Sequence, residues 1–281
     1  MQNVFEHCEH LVRDADKDRF LTTLFAPAGR RNALYALYAF DIEIARVRSL
    51  AREPMPGEIR LQWWREVLQG ERAGEAQASP VADALMQALA DTGLARAPLL
   101  EVIEARTFDL YDEPISSLAE LETYTRRTAG NVITSAAAVL DPSFAAVAPA
   151  ADHAAIAVGV SDVLRNLGWQ LARRQLFIPI EILERYAVPL GEAYGAHSSP
   201  RLLAALGEMR RHAWDHLRKA GALLSGITPN IIPAFLPAAL VPLHLRAMER
   251  RDYDPFRTPL EVPQWRRQWT LWRAARTGRI G

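Results

Sequence analysis

A chain of 281 residues, 49% apolar and 23% charged, is long enough to bury a sizeable core and has an ordinary globular composition. Its 33 basic and 33 acidic residues cancel, which excludes a nucleic-acid binder that works through overall charge. A single cysteine, Cys8, excludes an intramolecular disulfide and fits a reducing compartment.

Apolar residues recur at helical spacing almost throughout, and no strand-like alternation persists, so the chain is predicted to be all-α. In chain order the predicted helices run near 3–14, 16–25, 29–52, 57–73, 80–93, 98–112, 117–139, 152–174, 179–186, 199–224, 231–249 and 262–277. The breaks fall at Pro27, Pro54 and Pro56, Ser79-Pro80, Pro98, Pro114, Asp141-Pro142, Pro149 and Pro189. Asp14, Asp16 and Asp18 are expected to cap the second helix, and Ser116-Ser117 followed by Glu120 has the spacing of a capping box. No repeat, linker or composition step divides the chain, so 1–281 reads as a single domain with a basic, Trp-rich C-terminal helix at 262–281. Residues 220–245 carry no Lys, Arg, Asp or Glu, a run long enough to span a membrane. Pro229, Pro233, Pro237 and Pro242 interrupt it, and 225–230 reads as a loop, so two buried helix ends around a turn are expected.

Two helical segments carry the functional signal. The first runs Arg30-Arg31-Asn32-Ala33-Leu34-Tyr35-Ala36-Leu37-Tyr38-Ala39-Phe40-Asp41-Ile42-Glu43-Ile44-Ala45-Arg46-Val47-Arg48-Ser49. The second runs Asp162-Val163-Leu164-Arg165-Asn166-Leu167-Gly168-Trp169-Gln170-Leu171-Ala172-Arg173-Arg174-Gln175-Leu176-Phe177-Ile178-Pro179. Both resemble motifs of the squalene/phytoene synthase family. There the first reads Ala-Leu-Tyr-Ala-Leu-Tyr-Ala-Phe-Cys-Arg before an Asp-rich motif, and the second carries further acids ahead of paired arginines and a Leu-Pro. The resemblance covers about 18–254 and implies an isoprenoid synthase fold, a single-domain helical bundle around a central cavity.

It also implies a chemistry that this chain is poorly equipped to perform. Family members ionise an allylic diphosphate with Mg2+, a hard cation held by carboxylates and phosphate oxygens. Carboxylates at i and i+4 share a helix face and converge on such a cluster. Here the first-motif acid positions fall on Ala45 and Ser49, while Asp41 and Glu43, two apart, point to different faces. The second-motif positions fall on Asn166, Trp169 and Gln170. Asp162, Asn166 and Gln170 lie at i, i+4 and i+8, but one carboxylate and two amides carry too little charge for a tight Mg2+ site, and a buried polar seam is expected. Arg165, Arg173 and Arg174 match the family's arginines, as an anion or diphosphate pocket or as partners of Asp162 and Glu181.

The departures resemble a non-catalytic branch of the family that includes the mitochondrial assembly factor of respiratory complex I. The residues carrying this likeness are Ala39-Phe40-Asp41-Ile42-Glu43-Ile44-Ala45-Arg46-Val47 and Leu61-Gln62-Trp63-Trp64-Arg65-Glu66. The likeness implies no catalytic residues, no bound metal or cofactor, and a partner that is a complex I subunit, a lipid or an isoprenoid. The alternative is a divergent prenyl transferase using Asp41, Glu43, Asp162 and the arginines with Mg2+, on farnesyl or geranylgeranyl diphosphate.

Other constellations have plainer readings. Tyr124-Thr125-Arg126-Arg127-Thr128-Ala129-Gly130-Asn131 resembles the family's cavity-lining helix, so Tyr38, Tyr124, Gly130 and Asn131 are the cavity candidates, with close helix packing as the alternative for Gly130. His212 and His216 share a helix face at a spacing zinc can use, but with no third ligand in view they read as surface or packing residues. His7, Cys8 and His10 diverge around their helix, and Glu101, Glu104, Asp109 and Asp112 read as a solvated or salt-bridged face. Trp265, Trp269 and Trp272 fall on one face among Arg266, Arg267, Arg273, Arg276 and Arg279. Such a helix suits docking on anionic lipid or a membrane complex; alternatively the tryptophans cover the core. The N-terminus lacks the basic and apolar regions of a signal peptide, and the Ala- and Arg-rich composition is that of a GC-rich bacterial genome. The expected location is cytoplasmic, with peripheral attachment to the inner membrane open.

Overall fold

Proline and capping residues set the helix starts. The computed structural model describes residues 3–51, 53–143, 147–195 and 197–281; Arg52, the last position of the predicted 29–52 helix, lies outside them. Its helices are α1 (Val4–Ala15), α2 (Lys17–Thr23), α3 (Ala28–Leu50), α4 (Pro54–Gln69), α5 (Ala73–Ala78), α6 (Pro80–Thr92), α7 (Ala97–Thr107), α8 (Leu118–Thr125) and α9 (Asn131–Leu140). They continue as α10 (Ala148–Arg165), α11 (Leu167–Leu171), α12 (Ile180–Arg185), α13 (Leu190–Tyr194), α14 (Pro200–Leu223), α15 (Ile232–Phe235), α16 (Val241–Met248) and α17 (Gln264–Thr277). No strand occurs among the described residues. Asp16 Oδ1 accepts from Arg19 N at 2.9 Å and caps α2, the expected role of that acidic run. Ser117 Oγ accepts from Glu120 N at 3.2 Å, while Glu120 Oε2 accepts from Ser116 N at 2.7 Å, one residue earlier than in a standard capping box.

Two compact units emerge, each assembled from three stretches of chain. The first comprises Met1–Tyr111, Asn131–Ala148 and Gly226–Pro237. Its axis is α3, which packs against α1, α2, α4, α6, α7 and α9. Every residue from 33 to 42 is buried, the pattern of a helix enclosed on all sides. Phe40 meets the edge of Trp64 from α4 at 5.2 Å between ring centres, and both are fully buried.

The second unit comprises Asp112–Gly130, Pro149–Ser225 and Ala238–Gly281. Its long α14 is capped by Ser199 and packs against α12 and α16. Ile115 N donates to Leu176 O and Ile180 N to Ile115 O, tying the 112–117 segment to the 175–180 segment. Helix α8 runs into one π-helical turn at Arg126–Gly130 before α9 begins. The predicted helix 231–249 is broken, because Pro233 and Pro242 sit in first turns and a 3-10 segment, Leu236–Leu240, joins α15 to α16. Pro229–Met248 is long and apolar enough to cross a membrane, yet most of it is buried within the protein.

Candidate functional site

In the first unit the Asp-rich positions fall on the second half of α3. Asp41 is buried, and Arg19 of α2 donates Nη1 to its Oδ2 at 2.5 Å. Asp41 Oδ1 is also buried and accepts no hydrogen bond. The Arg19 guanidinium lies 5.2 Å over the Tyr38 ring and 3.6 Å from Asp16. Burial alone would lower the arginine, but the Asp41 and Asp16 carboxylates outweigh it and raise its pKa. Burial pushes the Tyr38 hydroxyl up to about 12. Glu43 is held at 3.1 Å by Arg60 of α4, and Ala45 and Ser49 are exposed, with Ser49 Oγ donating to Arg46 O. Cys8 is fully buried, with its thiol pushed up to about 12, chiefly by burial.

The second unit carries the other motif, and the predicted helix 152–174 is interrupted there. α10 stops at Arg165, Asn166 adopts a turn conformation, and α11 ends at Leu171. The expected buried seam does not form. Asp162 is half-exposed and pairs with Arg165 at 3.2 Å, Asn166 is exposed and bonds to the Asp162 carbonyl, and only Gln170 is buried. Its Oε1 accepts no hydrogen bond. Arg173 stacks on Trp169 with its Cζ 3.7 Å from the ring centre, and Arg174 adopts a left-handed φ of 59°. Glu181 Oε1 accepts from Leu118 N at 2.9 Å at the start of α8, and among the described residues it pairs with no arginine.

The three acids that survive at or beside the two motifs are therefore each paired with an arginine inside their own unit. Those guanidinium partners already balance the carboxylate charge that would attract Mg2+, and alanine and serine offer no anionic ligand at Ala45 and Ser49. The residues present do not fit a tight Mg2+ site.

Arg165 has a neighbour that sequence reading did not single out. His244 of α16 is buried, and its imidazole is lowered to about 3, chiefly by burial and further by Arg165 and Arg267. An ordinary histidine titrates near 6.5 when unfolded. A folded pKa below that value leaves stability intact above about 6.5 and removes it as pH falls toward the folded value. At roughly 1.4 kcal/mol per pH unit, His244 accounts for a loss of about 2 kcal/mol between pH 6.5 and 5. Urea denaturation at both pH values should show a smaller fall in His244→Gln than in the wild type; equal falls would contradict this assignment.

The cavity candidates come from both units. Tyr38 belongs to the first unit; Tyr124 packs on Phe177 at 5.5 Å in the second, and Asn131 opens α9. Gly130 is buried, and a Cβ there would meet Ala155 Cβ at 3.4 Å, an ordinary contact distance. The tighter position is Gly159 of α10, where a Cβ would stand 2.3 Å from Thr125 Cγ2. Two recesses open elsewhere. One of about 580 Å3 in the first unit is lined by Ile59, Trp63 and Glu104 among others, and one of about 160 Å3 in the second by Leu243, Arg246, Trp269 and Arg273. The predicted acidic face is in part ion-paired: Glu104 holds Arg65, and Asp109, which is buried rather than solvated, holds Arg106.

On α17 the tryptophans do not cover the core. Leu271 and Ala274 are buried, whereas Trp265, Trp269 and Trp272 are 64%, 58% and 43% exposed. Trp269 stacks on Trp272 at 5.0 Å, and Arg266 and Arg276 lie over Trp265 and Trp272. Arg273 is exposed beside them. A helix that hides one leucine and one alanine and presents three indoles among arginines has the surface chemistry of an interfacial helix.

An all-α chain built around the long buried helix α3 and the broken α10–α11 segment points to a class, and the sequence matches it. The chain belongs to the squalene/phytoene synthase family, which it matches over residues 12–273. Among curated relatives, NADH dehydrogenase (ubiquinone) complex I, assembly factor 6 of Rattus norvegicus is 28% identical over 255 residues, covering 91% of this chain and 77% of that one. The 15-cis-phytoene synthase of Synechococcus elongatus is 24% identical over 290 residues, covering 96% and 92%. A dehydrosqualene synthase crystal structure superposes with a TM-score of 0.83 at 18% identity, covering 99% of this chain and 96% of that one, and shows that the fold is the all-α isoprenoid synthase fold.

Proposed function

We propose that this chain is a catalytically silent member of the family that assists assembly of respiratory complex I, working peripherally on the cytoplasmic face of the inner membrane. The observation that carries this reading is the pairing of Asp41, Glu43 and Asp162 with Arg19, Arg60 and Arg165, combined with Ala45 and Ser49 where the family has acids. Without free carboxylates, no multi-ion cluster forms to neutralise a departing diphosphate. The likeness to assembly factor 6 supports the direction of the reading, and the exposed tryptophans of α17 support its place at a membrane or membrane complex. The partner it would hold is a complex I subunit, or an apolar lipid or isoprenoid presented to one.

The test is deletion of the gene in the organism that encodes it, with complex I activity and squalene, phytoene and carotenoid content measured in the same cells. Complex I activity should fall with prenyl products unchanged. Wild-type protein should restore activity and fractionate with membranes, whereas Trp265→Ser/Trp269→Ser/Trp272→Ser should do neither fully. Loss of prenyl products, or Mg2+-dependent turnover of farnesyl or geranylgeranyl diphosphate by the purified chain, would establish the divergent prenyl transferase instead.

A further inference from the structure

The His212/His216 pair of α14 acquires in the folded chain the third group that its sequence lacked. Glu122 of α8 brings its Oε1 to 3.0 Å from His212 Nε2 and 3.7 Å from His216 Nε2, and all three ligand atoms lie within 4.8 Å of one another. A tetrahedral ion with bonds of about 2.0–2.2 Å separates its ligand atoms by about 3.3–3.6 Å, which the two Glu122–imidazole distances of 3.0 and 3.7 Å bracket. Glu122 Oε1 stands at ion-pair distance from His212 Nε2, a buried nitrogen for which no hydrogen bond is found among the described residues.

The surrounding groups hold the ligands in position. Arg126 donates to Glu122 Oε2 at 2.5 Å, leaving Oε1 to face the imidazoles. His153 of α10 places its Nδ1 3.1 Å from His216 Nδ1, so that a proton on one nitrogen is shared with the other. When His216 is the donor, its Nε2 lone pair points toward Glu122, which is how outer groups select the ligating tautomer of a histidine.

We propose that Glu122, His212 and His216 form a site for one zinc-class divalent ion, with the fourth coordination position open. Two imidazoles and one carboxylate suit zinc rather than Mg2+, which takes oxygen ligands. The ion would tie α8 to α14 immediately before the π-helical turn at Arg126–Gly130. The site lies wholly within the second unit and uses none of the Asp-rich positions, so it stands or falls independently of the assembly role.

The experiment uses the full chain, stripped with a chelator and titrated with Zn2+ against a chromophoric competitor, then with Co2+ for its visible spectrum. One equivalent should bind, and Co2+ should show the intense ligand-field bands of a four- or five-coordinate site. His212→Gln and Glu122→Gln should each weaken binding by at least about tenfold, the loss that even an outer-shell change produces. His153→Phe, as a change to a positioning residue, should weaken it and shift the Co2+ bands. His7→Gln/His10→Gln should leave affinity unchanged. Substoichiometric Zn2+, an octahedral Co2+ spectrum, or equal affinity in wild type and His212→Gln would overturn the proposal. Because the wild-type stoichiometry and spectrum are decisive alone, a variant that fails to fold leaves the test intact.

Discussion

Arg19→Met is expected to destabilise the protein by about 3–5 kcal/mol, the range for stripping one partner from a buried ion pair. The Asp41 side chain is only 7% exposed, its Oδ2 is bonded to Arg19, and its Oδ1 has no other donor. Removing the guanidinium leaves a carboxylate in the core beside Tyr38 with nothing to balance it. The double variant Arg19→Met/Asp41→Asn should recover much of the loss, since the isosteric amide carries no charge. Urea denaturation of the four proteins gives the coupling energy. A loss below about 1 kcal/mol in Arg19→Met, or no recovery in the double variant, would mean that the pair is solvated like a surface bridge.

Gly159→Ala is the second large effect, expected at about 1–3 kcal/mol of destabilisation from overpacking. The sign is informative, because alanine in a helix is intrinsically favoured over glycine by roughly 1 kcal/mol. Here the added methyl would lie 2.3 Å from Thr125 Cγ2 and 2.9 Å from Thr125 Cβ. Thr125 cannot readily swing aside, since its hydroxyl donates to the Glu122 carbonyl at 2.9 Å and its branched side chain is buried. Adding Thr125→Ser removes the nearer contact and should restore part of the loss. Gly130→Ala, whose methyl meets nothing nearer than Ala155 Cβ at 3.4 Å, should lie within about 1 kcal/mol of the wild type in the same thermal melts. If Gly159→Ala is no worse than Gly130→Ala, α8 and α10 are not in close contact.

Local patterns made most of the helices readable. The apolar repeat of α3, the Ser199-Pro200 start of α14 and the Asp16 cap of α2 are each decided by residues adjacent in sequence. The family likeness was legible for a related reason, because it rests on residue types at fixed spacing along single helices. Short helices such as α5 and α13 escaped, since five or six residues hold too little periodicity to register. The break at Asn166 escaped as well, because nothing in that segment except its tertiary surroundings interrupts the helical pattern.

What the sequence determined alone is the fold class, the family, and the absence of acids at Ala45 and Ser49, because these depend on residue type and spacing. What the tertiary structure decided is where each charge and each open face ends up. Arg19 lies 22 positions from Asp41, Glu122 lies 90 from His212, and Thr125 lies 34 from Gly159; no local rule links residues so far apart. The exposure of the three α17 tryptophans follows the same logic, because one helix presents an apolar stripe with equal ease to a core or to solvent. Its neighbours settle the choice: the face carrying Leu271 and Ala274 lies against the protein, and the three indoles are left outside.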